Sequence, residues 1–197
     1  MKKIIPIFCL SILSLSSVNA QRTGLEFSFS VLDLIYACLD DEQWPNNFVG
    51  FNIGAIEEFP LSENISVEPA LLLYQKRGVY SKKILEDFYS ISYINLPLHF
   101  VGKIPFNDWF AYIKAGPFIS YGIGAKEHIG KDSYRIKLKD KECELKDIDA
   151  GLSFGIGMGV DQIYFGVLYQ KGLLDISNIS SRTTKTRVLS ISLDYLF

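Results

Sequence analysis

Apolar and polar residues alternate along most of this chain. The stretch GLSFGIGMGV, residues 151–160, places a bulky apolar side chain at every second position and glycine or serine at the positions between. Residues 189–197 show the same period of two, with serine and aspartate on much of the second face. Six further segments alternate to differing degrees: 24–34, 51–55, 65–73, 88–101, 109–121 and 163–170. A period of two is typical of a β-strand, so the pattern predicts eight strands and an all-β fold.

The connections between these predicted strands alternate in length. Long polar connections are expected at 36–47, 76–87, 125–147 and 175–184, and short turns at 59–64, 103–108 and 161–162. Barrels of the bacterial outer membrane combine an even number of strands with long outer loops and short periplasmic turns. The sequence therefore predicts an eight-stranded antiparallel up-and-down transmembrane β-barrel, with both chain ends on the periplasmic rim.

The first twenty residues have the features of a secretory signal peptide. Lys2 and Lys3 precede an apolar stretch at 4–15, and small and polar residues lead to Ala20. The apolar stretch is shorter than the roughly 20 residues that a membrane-spanning helix needs. We therefore expect residues 1–20 to be cleaved during export and residues 21–197 to form the barrel domain.

Composition supports a wall of apolar strands and excludes one class of partner. Hydrophobic residues make up 48% of the chain and aromatic residues 14%, while the formal net charge is −2. Loss of the two signal-peptide lysines makes the chain more acidic, and a nucleic-acid partner would need a basic face. We therefore expect the apolar residues to contact outer-membrane lipids, and we expect no nucleic-acid partner.

The alternation also predicts what fills the barrel. If the bulky residues face lipid, the glycines at 151, 155, 157 and 159 face inward and leave room for large groups on neighbouring strands. Five polar residues lie on the inward parity of their strands and are candidates for the lumen: Asn52, Glu68, Asn95, Lys114 and Asp194. A buried charge needs a partner, so Glu68 and Lys114 are expected to share a hydrogen-bonded or ionic network. We expect a filled lumen with no open channel.

The aromatic residues fall into two groups at the predicted strand ends. Near the short turns lie Phe59, Phe106, Trp109, Tyr195 and Phe197, and near the long loops lie Tyr36, Tyr74, Tyr89, Tyr121 and Tyr169. Aromatic rings prefer both interfaces of a membrane, so the two groups predict two belts around the barrel.

The two cysteines of the expected mature chain, Cys38 and Cys143, fall in the first and the longest outer loop. Both loops pass through an oxidising compartment, where an even cysteine count favours a disulfide. We therefore predict a bridge between Cys38 and Cys143, with two unpaired thiols as the alternative.

Sequence resemblance adds a family to this prediction. Tyr195 and Phe197 resemble the aromatic C-terminal signature that the barrel-assembly machinery reads. The chain also resembles the PorT-like outer-membrane β-barrel family of Gram-negative bacteria. The matching stretches are GFNIGAIEEFPLSENISVEPALLLYQKRG (50–78), YINLPLHF (93–100), AGPFISYGIG (115–124) and DAGLSFGIGMGV (149–160). The family pattern usually carries Glu where Asn95 stands here. The resemblance implies a barrel in the outer membrane, and some relatives are associated with protein secretion across that membrane.

Three functions follow in order of preference. The first is a small barrel with a filled lumen, acting as a structural, surface-interaction or secretion-accessory protein through its long loops. The second is a secreted lipocalin-like barrel that binds an apolar ligand, whose strands would place bulky apolar residues inward. The third is an outer-membrane lipid-modifying enzyme, which would need a Ser-His-acid set on the lipid face.

The residues give little support for catalysis. His99 and His128 are not at metal-ligand spacing; we interpret His99 as a lumen or rim histidine and His128 as a solvated loop residue. We expect no catalytic, metal-binding or cofactor-binding residue, and no cofactor.

Overall fold

The structure, a computed structural model, describes residues 21–36, 47–79, 87–129, 132–136, 146–177 and 184–197. These residues form nine strands: β1 Arg22–Tyr36, β2 Asn47–Pro60, β3 Ile65–Val79, β4 Asp87–Pro105, β5 Phe110–Ile129, β6 Asp132–Ile136, β7 Ile148–Val160, β8 Ile163–Gly172 and β9 Thr184–Leu196. The predicted signal peptide at 1–20 and both Cys38 and Cys143 lie outside the described residues. The cleavage and the disulfide therefore stay predictions.

Eight of the strands close into an antiparallel barrel. Pairing runs through β1, β2, β3, β4, β5, β7, β8 and β9 in that order, and β9 pairs back to β1. Closure joins Gly24 to Leu196 at one end and Tyr36 to Thr184 at the other. The eight-stranded fold predicted from the alternation is confirmed.

The ninth strand, β6, differs from the sequence expectation. The whole of 125–147 was expected to be a loop, but β5 continues to Ile129 and Asp132–Ile136 pairs with its last residues. This hairpin lies beyond Tyr121, where the pairing of β5 with β7 ends. Polar composition favoured a loop here, because alternation of side chains is weak where both faces of a hairpin are polar.

The connections keep the predicted asymmetry. Gaps between barrel strands at 37–46, 80–86, 130–147 and 173–183 are long, whereas those at 61–64, 106–109 and 161–162 are short. The tightest turn contains Asp161, whose φ of 51° lies in the left-handed region that aspartate tolerates. One rim, here called the long-loop rim, therefore carries all the long connections, and the other, the short-turn rim, carries the turns and both chain ends.

The bulky apolar face of each strand points away from the barrel. On β7 the even-numbered residues Leu152, Phe154, Ile156, Met158 and Val160 are 49% to 56% exposed, and the glycines between them point inward. A soluble protein rarely exposes so large an apolar surface, but a barrel wall in lipid does. The lipocalin-like alternative placed these side chains inward, and the structure contradicts it.

The aromatic belts are present in the described part, with one correction, while the side chains of Tyr36 and Tyr89 lie outside the described residues. Trp109, Phe106, Tyr195 and Phe197 are exposed at the short-turn rim, and Tyr121 and Tyr169 at the other. Tyr74 is instead buried in the lumen at 2% exposure, because it lies on the inward parity of β3. Among the described residues no helix is long and apolar enough to cross a bilayer.

Candidate functional site, a charged and filled lumen

Glycines of β7 make room for three large side chains of β5. In the ladder the opposed pairs are Phe110 with Gly159, Tyr112 with Gly157, and Lys114 with Gly155. A Cβ added to Gly159 would lie 2.1 Å from the Phe110 ring. One added to Gly157 would lie 2.4 Å from the Tyr112 ring and equally 2.4 Å from the backbone oxygen of Phe165 on β8. The alternation of glycine with bulky residues therefore has a steric cause. Side chains of the neighbouring strand β5 occupy the space on the inward face of β7.

Position 151 carries glycine for a different reason. A Cβ there would lie 2.0 Å from the backbone oxygen of Lys171 on β8. The expectation that Gly151 makes room for a side chain is therefore wrong, because the close neighbour is the main chain of the next strand.

Lys114 is the central cation of the lumen. Its Nζ atom lies 3.2 Å from Oε1 of Glu68 and 3.5 Å from Oδ2 of Asp194, and all three side chains are at most 4% exposed. The Lys114 ammonium also lies 5.9 Å from the centroid of the Tyr112 ring. The structure thus brings together three of the five residues that the sequence analysis proposed, on β3, β5 and β9.

Glu26 is a further carboxyl that the sequence analysis did not single out. It lies directly across the β1–β9 pair from Asp194 and is 2% exposed. The segment around it, LEFSFSV, alternates cleanly, so its inward parity could have been recognised from the sequence. Its closeness to Lys114 could not, because it depends on the closing of β9 against β1.

His99 lies between Glu68 and Ser153 of β7. We call Lys114, Glu68 and Asp194 the Lys114 cluster. Its Nε2 atom lies 2.8 Å from Oγ of Ser153, and its Nδ1 atom lies 3.6 Å from Oε1 of Glu68. The Ser153 hydroxyl donates its single proton to the backbone oxygen of Gly116 at 2.9 Å, so it accepts from His99. A serine nucleophile would instead donate to the histidine, and this group lies inside the barrel rather than on the lipid face. The arrangement is that of a structural histidine.

A second ionic group closes the lumen near the short-turn rim. The buried Glu58 carboxylate accepts from the guanidinium of Arg22 at 3.0 Å, from the ammonium of Lys103, and from the Tyr164 hydroxyl at 3.3 Å. Lys103 was expected in a turn, but β4 extends to Pro105 and directs it inward. Tyr164 also belongs to the buried apolar cluster that includes Tyr112 and Leu196.

Polar pairs fill the half of the lumen near the long loops. Three are neutral: Asn95 accepts from Ser120 at 2.8 Å, Asn52 donates to Ser28 at 2.7 Å, and Tyr74 donates to Gln170 at 2.9 Å. In the fourth, Thr186 donates to the carboxyl of Asp149 at 2.5 Å. Beside them a cavity of about 20 Å³ is lined by Tyr74, Tyr93, Phe118, Ser120, Asp149, Gln170, Thr186 and Val188. Such a volume holds about one water molecule.

The remaining predicted residues lie at the C-terminus. The side chains of Tyr195 and Phe197 point outward at the short-turn rim, with ring centroids 6.1 Å apart. The Tyr195 hydroxyl donates to Gln162 at 2.8 Å, and the Phe197 amide donates to the backbone oxygen of Thr23 at 2.8 Å. In the described part of the chain, no three His, Cys, Asp or Glu residues are grouped so that they could hold a metal ion.

Solved structures resemble this barrel at low sequence identity. Neisserial surface protein A has a TM-score of 0.50 and 10% identity, with 89% of this chain and 97% of that chain covered. Ail, the attachment invasion locus protein of Yersinia pestis, has a TM-score of 0.49 and 14% identity, with 89% and 98% covered. OprG of Pseudomonas aeruginosa has a TM-score of 0.48 and 12% identity, with 90% and 96% covered. Likeness at these identities concerns the fold alone.

The family assignment comes from the sequence. No curated protein matches the chain. A family described as "Outer membrane protein beta-barrel domain" matches residues 19–178, which include most of the barrel from β1 to the connection after β8. The chain is a small outer-membrane β-barrel and belongs to the outer membrane protein beta-barrel domain family.

Proposed function

We propose that this protein is a PorT-like barrel that acts through its long loops, as a surface-interaction or secretion-accessory protein. The observation that carries the proposal is the filled lumen. The lumen contains the Lys114 cluster (Lys114, Glu68 and Asp194), the Glu58 cluster (Glu58, Arg22, Lys103 and Tyr164) and the neutral pairs, which together occupy its described length. The described side chains leave beside these pairs a cavity that holds about one water molecule, so we take the long connections as the part of the chain that meets a partner.

Two further features belong to this proposal. The stretches that resemble PorT-like proteins fall mainly on β2, β3, β4, β5 and β7, so the likeness concerns the wall that carries the loops. Export through a cleaved signal peptide at 1–20 would deliver the chain to the periplasm. There the C-terminal residues Tyr195 and Phe197 would be read by the barrel-assembly machinery before β9 closes on β1.

A secretion assay tests the role of the loops. The gene is deleted, and the proteins released into the medium are compared by quantitative mass spectrometry. The deletion is then complemented with the full chain or with a variant in which residues 38–45 and 137–145 are replaced by short Asn-Gly turns. We expect the full chain to restore the released proteins and the loop variant to fail, although it assembles with the same heat-modifiable gel mobility.

The matched control changes the opposite rim. Asp161→Asn combined with Gln162→Gly keeps a two-residue hairpin and leaves every long loop intact. This variant should complement as the full chain does. Full complementation by the loop variant would overturn the role of the loops, and an unchanged set of released proteins in the deletion strain would overturn the secretion role.

A further inference from the structure

Two neighbouring strands change from apolar to basic at the same level of the outer wall. On β8 the outward row Ile163, Phe165, Val167 and Tyr169 is followed by Lys171, and on β9 the outward Leu189 is followed by Arg187 and Lys185. The register pairs Tyr169 with Leu189 and Lys171 with Arg187. The three cations therefore lie side by side, directly beyond the last apolar row, at the long-loop rim. Below they are called the basic triad.

The basic triad forms no close ion pair with a described side chain. All three side chains are exposed. Among the described side chains none of the three lies within 4.0 Å of a carboxylate oxygen. Among the described side chains, the Asp175 carboxylate interacts electrostatically with Lys185, which sets one carboxylate against three cations. The site therefore remains positive.

The change from apolar to basic does not continue onto the next described strand. The neighbouring strand β7 stays apolar to its end on the outward face, with Leu152 opposite Lys171 and then Ile148. At the short-turn rim the exposed charged residues include Glu63, Asp108 and Asp161, which are acidic. The basic triad thus lies at the edge of the apolar outer surface, on the side of the long loops.

We propose that Lys171, Lys185 and Arg187 bind the phosphate groups of a phosphorylated lipid of the outer leaflet. In an outer-membrane barrel the long-loop rim faces outward, and side chains just beyond the apolar band lie at the depth of lipid headgroups. Basic clusters at that depth attract anionic headgroups. An arginine fork and two flexible ammonium groups suit a phosphate on a sugar better than a lone cation does. The acyl chains of the same lipid would lie on the apolar row of Tyr169 and Leu189.

The test uses diphosphoryl lipid A as the probe. The protein is folded in zwitterionic detergent, and lipid binding is titrated by native mass spectrometry. We expect the variant Lys171→Gln, Lys185→Gln, Arg187→Gln to bind about a hundredfold more weakly, since each cation near a headgroup contributes about fivefold. The wild-type protein should bind dephosphorylated lipid A as weakly as this variant does.

Two controls separate a site from general charge. The charge-retaining variant Lys171→Arg, Lys185→Arg, Arg187→Lys should keep the affinity. The variant Lys126→Gln, which removes an exposed cation of β5 beyond the end of its pairing with β7, should also keep it. If the glutamine triple variant does not fold, the single variants Lys171→Gln and Arg187→Gln replace it, each expected to bind about fivefold more weakly.

Three results would overturn the proposal. The first is equal affinity of the wild-type protein and the glutamine triple variant. The second is a loss of affinity in the Lys126→Gln variant as large as that expected for one residue of the triad, which would show attraction by overall charge. The third is displacement of the lipid by inorganic phosphate in millimolar excess, which would show a site for a free anion. None of these results depends on what the long loops bind.

Discussion

At the scale of single residues, the size of a side chain on β5 determines which residue β7 can carry opposite it. The Phe110 ring occupies the space where a side chain at Gly159 would begin, and it also packs edge-on against the Tyr164 ring at a centroid distance of 4.9 Å. The contact at Gly159 is made by side-chain atoms, so truncation of Phe110 should relieve it. At Gly151 the close neighbour is backbone, so truncation of a side chain cannot relieve the contact.

We expect Gly159→Ala to destabilise the barrel by about 1–3 kcal/mol, because the added methyl group overpacks the lumen against Phe110. In a protein that already carries Phe110→Ala, the Gly159→Ala substitution should cost much less. The measurement is urea unfolding in lipid vesicles for both single variants and the double variant, which together give the coupling free energy.

Two glycines serve as controls for this prediction. Gly102→Ala should be near neutral, since its Cβ would meet only Ile113 Cγ1 at 3.6 Å. Gly151→Ala should destabilise the barrel whatever is done to Phe110. A Gly159→Ala penalty that persists in the double variant would contradict the steric explanation.

The Lys114 cluster gives a second prediction at this scale. Lys114→Met would leave the carboxyls of Glu68, Asp194 and Glu26 buried without their shared cation. Breaking a buried ion pair by removing one partner costs about 3–5 kcal/mol, and we expect a loss in that range in vesicle unfolding. The double variant Lys114→Met, Glu68→Gln should recover part of it. Wild-type stability of Lys114→Met would show that the carboxyls do not depend on this lysine.

At the scale of elements, the outward residues of one strand lie at different depths in the bilayer. On β7 both Ile156 and Ile148 point outward, but Ile156 lies within the strand and Ile148 lies at its end at the long-loop rim. The energy of placing a charge on a lipid-facing side chain depends on its depth in the bilayer. The same substitution at the two positions therefore tests both the facing and the depth of this strand.

We expect Ile156→Arg to destabilise the folded barrel by about 2–4 kcal/mol and Ile148→Arg by only about 0–1 kcal/mol. Unfolding in lipid vesicles measures both, and cell fractionation shows whether each variant reaches the outer membrane. Equal tolerance of the two arginines would contradict a wall in contact with lipid at the middle of β7.

The connection between β8 and β9 is held at its base by one carboxylate. Asp175 Oδ1 accepts from the amide of Thr184 at 2.9 Å and from the amide of Ser177 at 3.0 Å. These two backbone bonds, first that of Thr184, hold the pKa of the exposed Asp175 carboxyl below its ordinary value. Because the folded pKa is depressed, the anchor is complete above the ordinary pKa and is lost as pH falls through the lowered one.

An acid titration by NMR in detergent micelles tests this anchor. The amide resonances of Ser177 and Thr184 should shift together, with a common midpoint below the ordinary pKa of aspartate. In Asp175→Asn this shared titration should vanish, because no carboxyl remains. A midpoint at or above the ordinary value would mean that the two amides do not stabilise the charged carboxylate.

The same elements show what the sequence could and could not predict. Period-two alternation assigned the strands and the facing of Glu68, Lys114 and Asp194, because parity depends only on local side-chain direction. It could not show that His99 meets Ser153 across the barrel, or that Glu26 meets Asp194, since such contacts depend on closure and shear. It also missed β6, where the residues of the hairpin are polar. Tyr74 was misplaced because an aromatic residue near a strand end fits a belt and a lumen equally well.

At the scale of the whole molecule, closure and filling depend on each other. Closing β9 on β1 removes the free sheet edges, and an eight-stranded barrel is just wide enough for side chains to fill. The lumen contains ionic groups in its middle and near the short-turn rim, and neutral pairs near the long loops. The described part of the molecule is therefore a closed barrel whose lumen is filled by its own side chains.

Single-channel recording in planar bilayers tests this filled lumen most directly. The purified, folded protein is added at high salt, with a porin of known conductance recorded in the same bilayer as a positive control. We expect the porin to give regular steps and this protein to give none, because the Lys114 and Glu58 clusters block the path for hydrated ions. Reproducible conductance steps from the folded protein would contradict the filled barrel and, with it, a role confined to the loops and the outer wall.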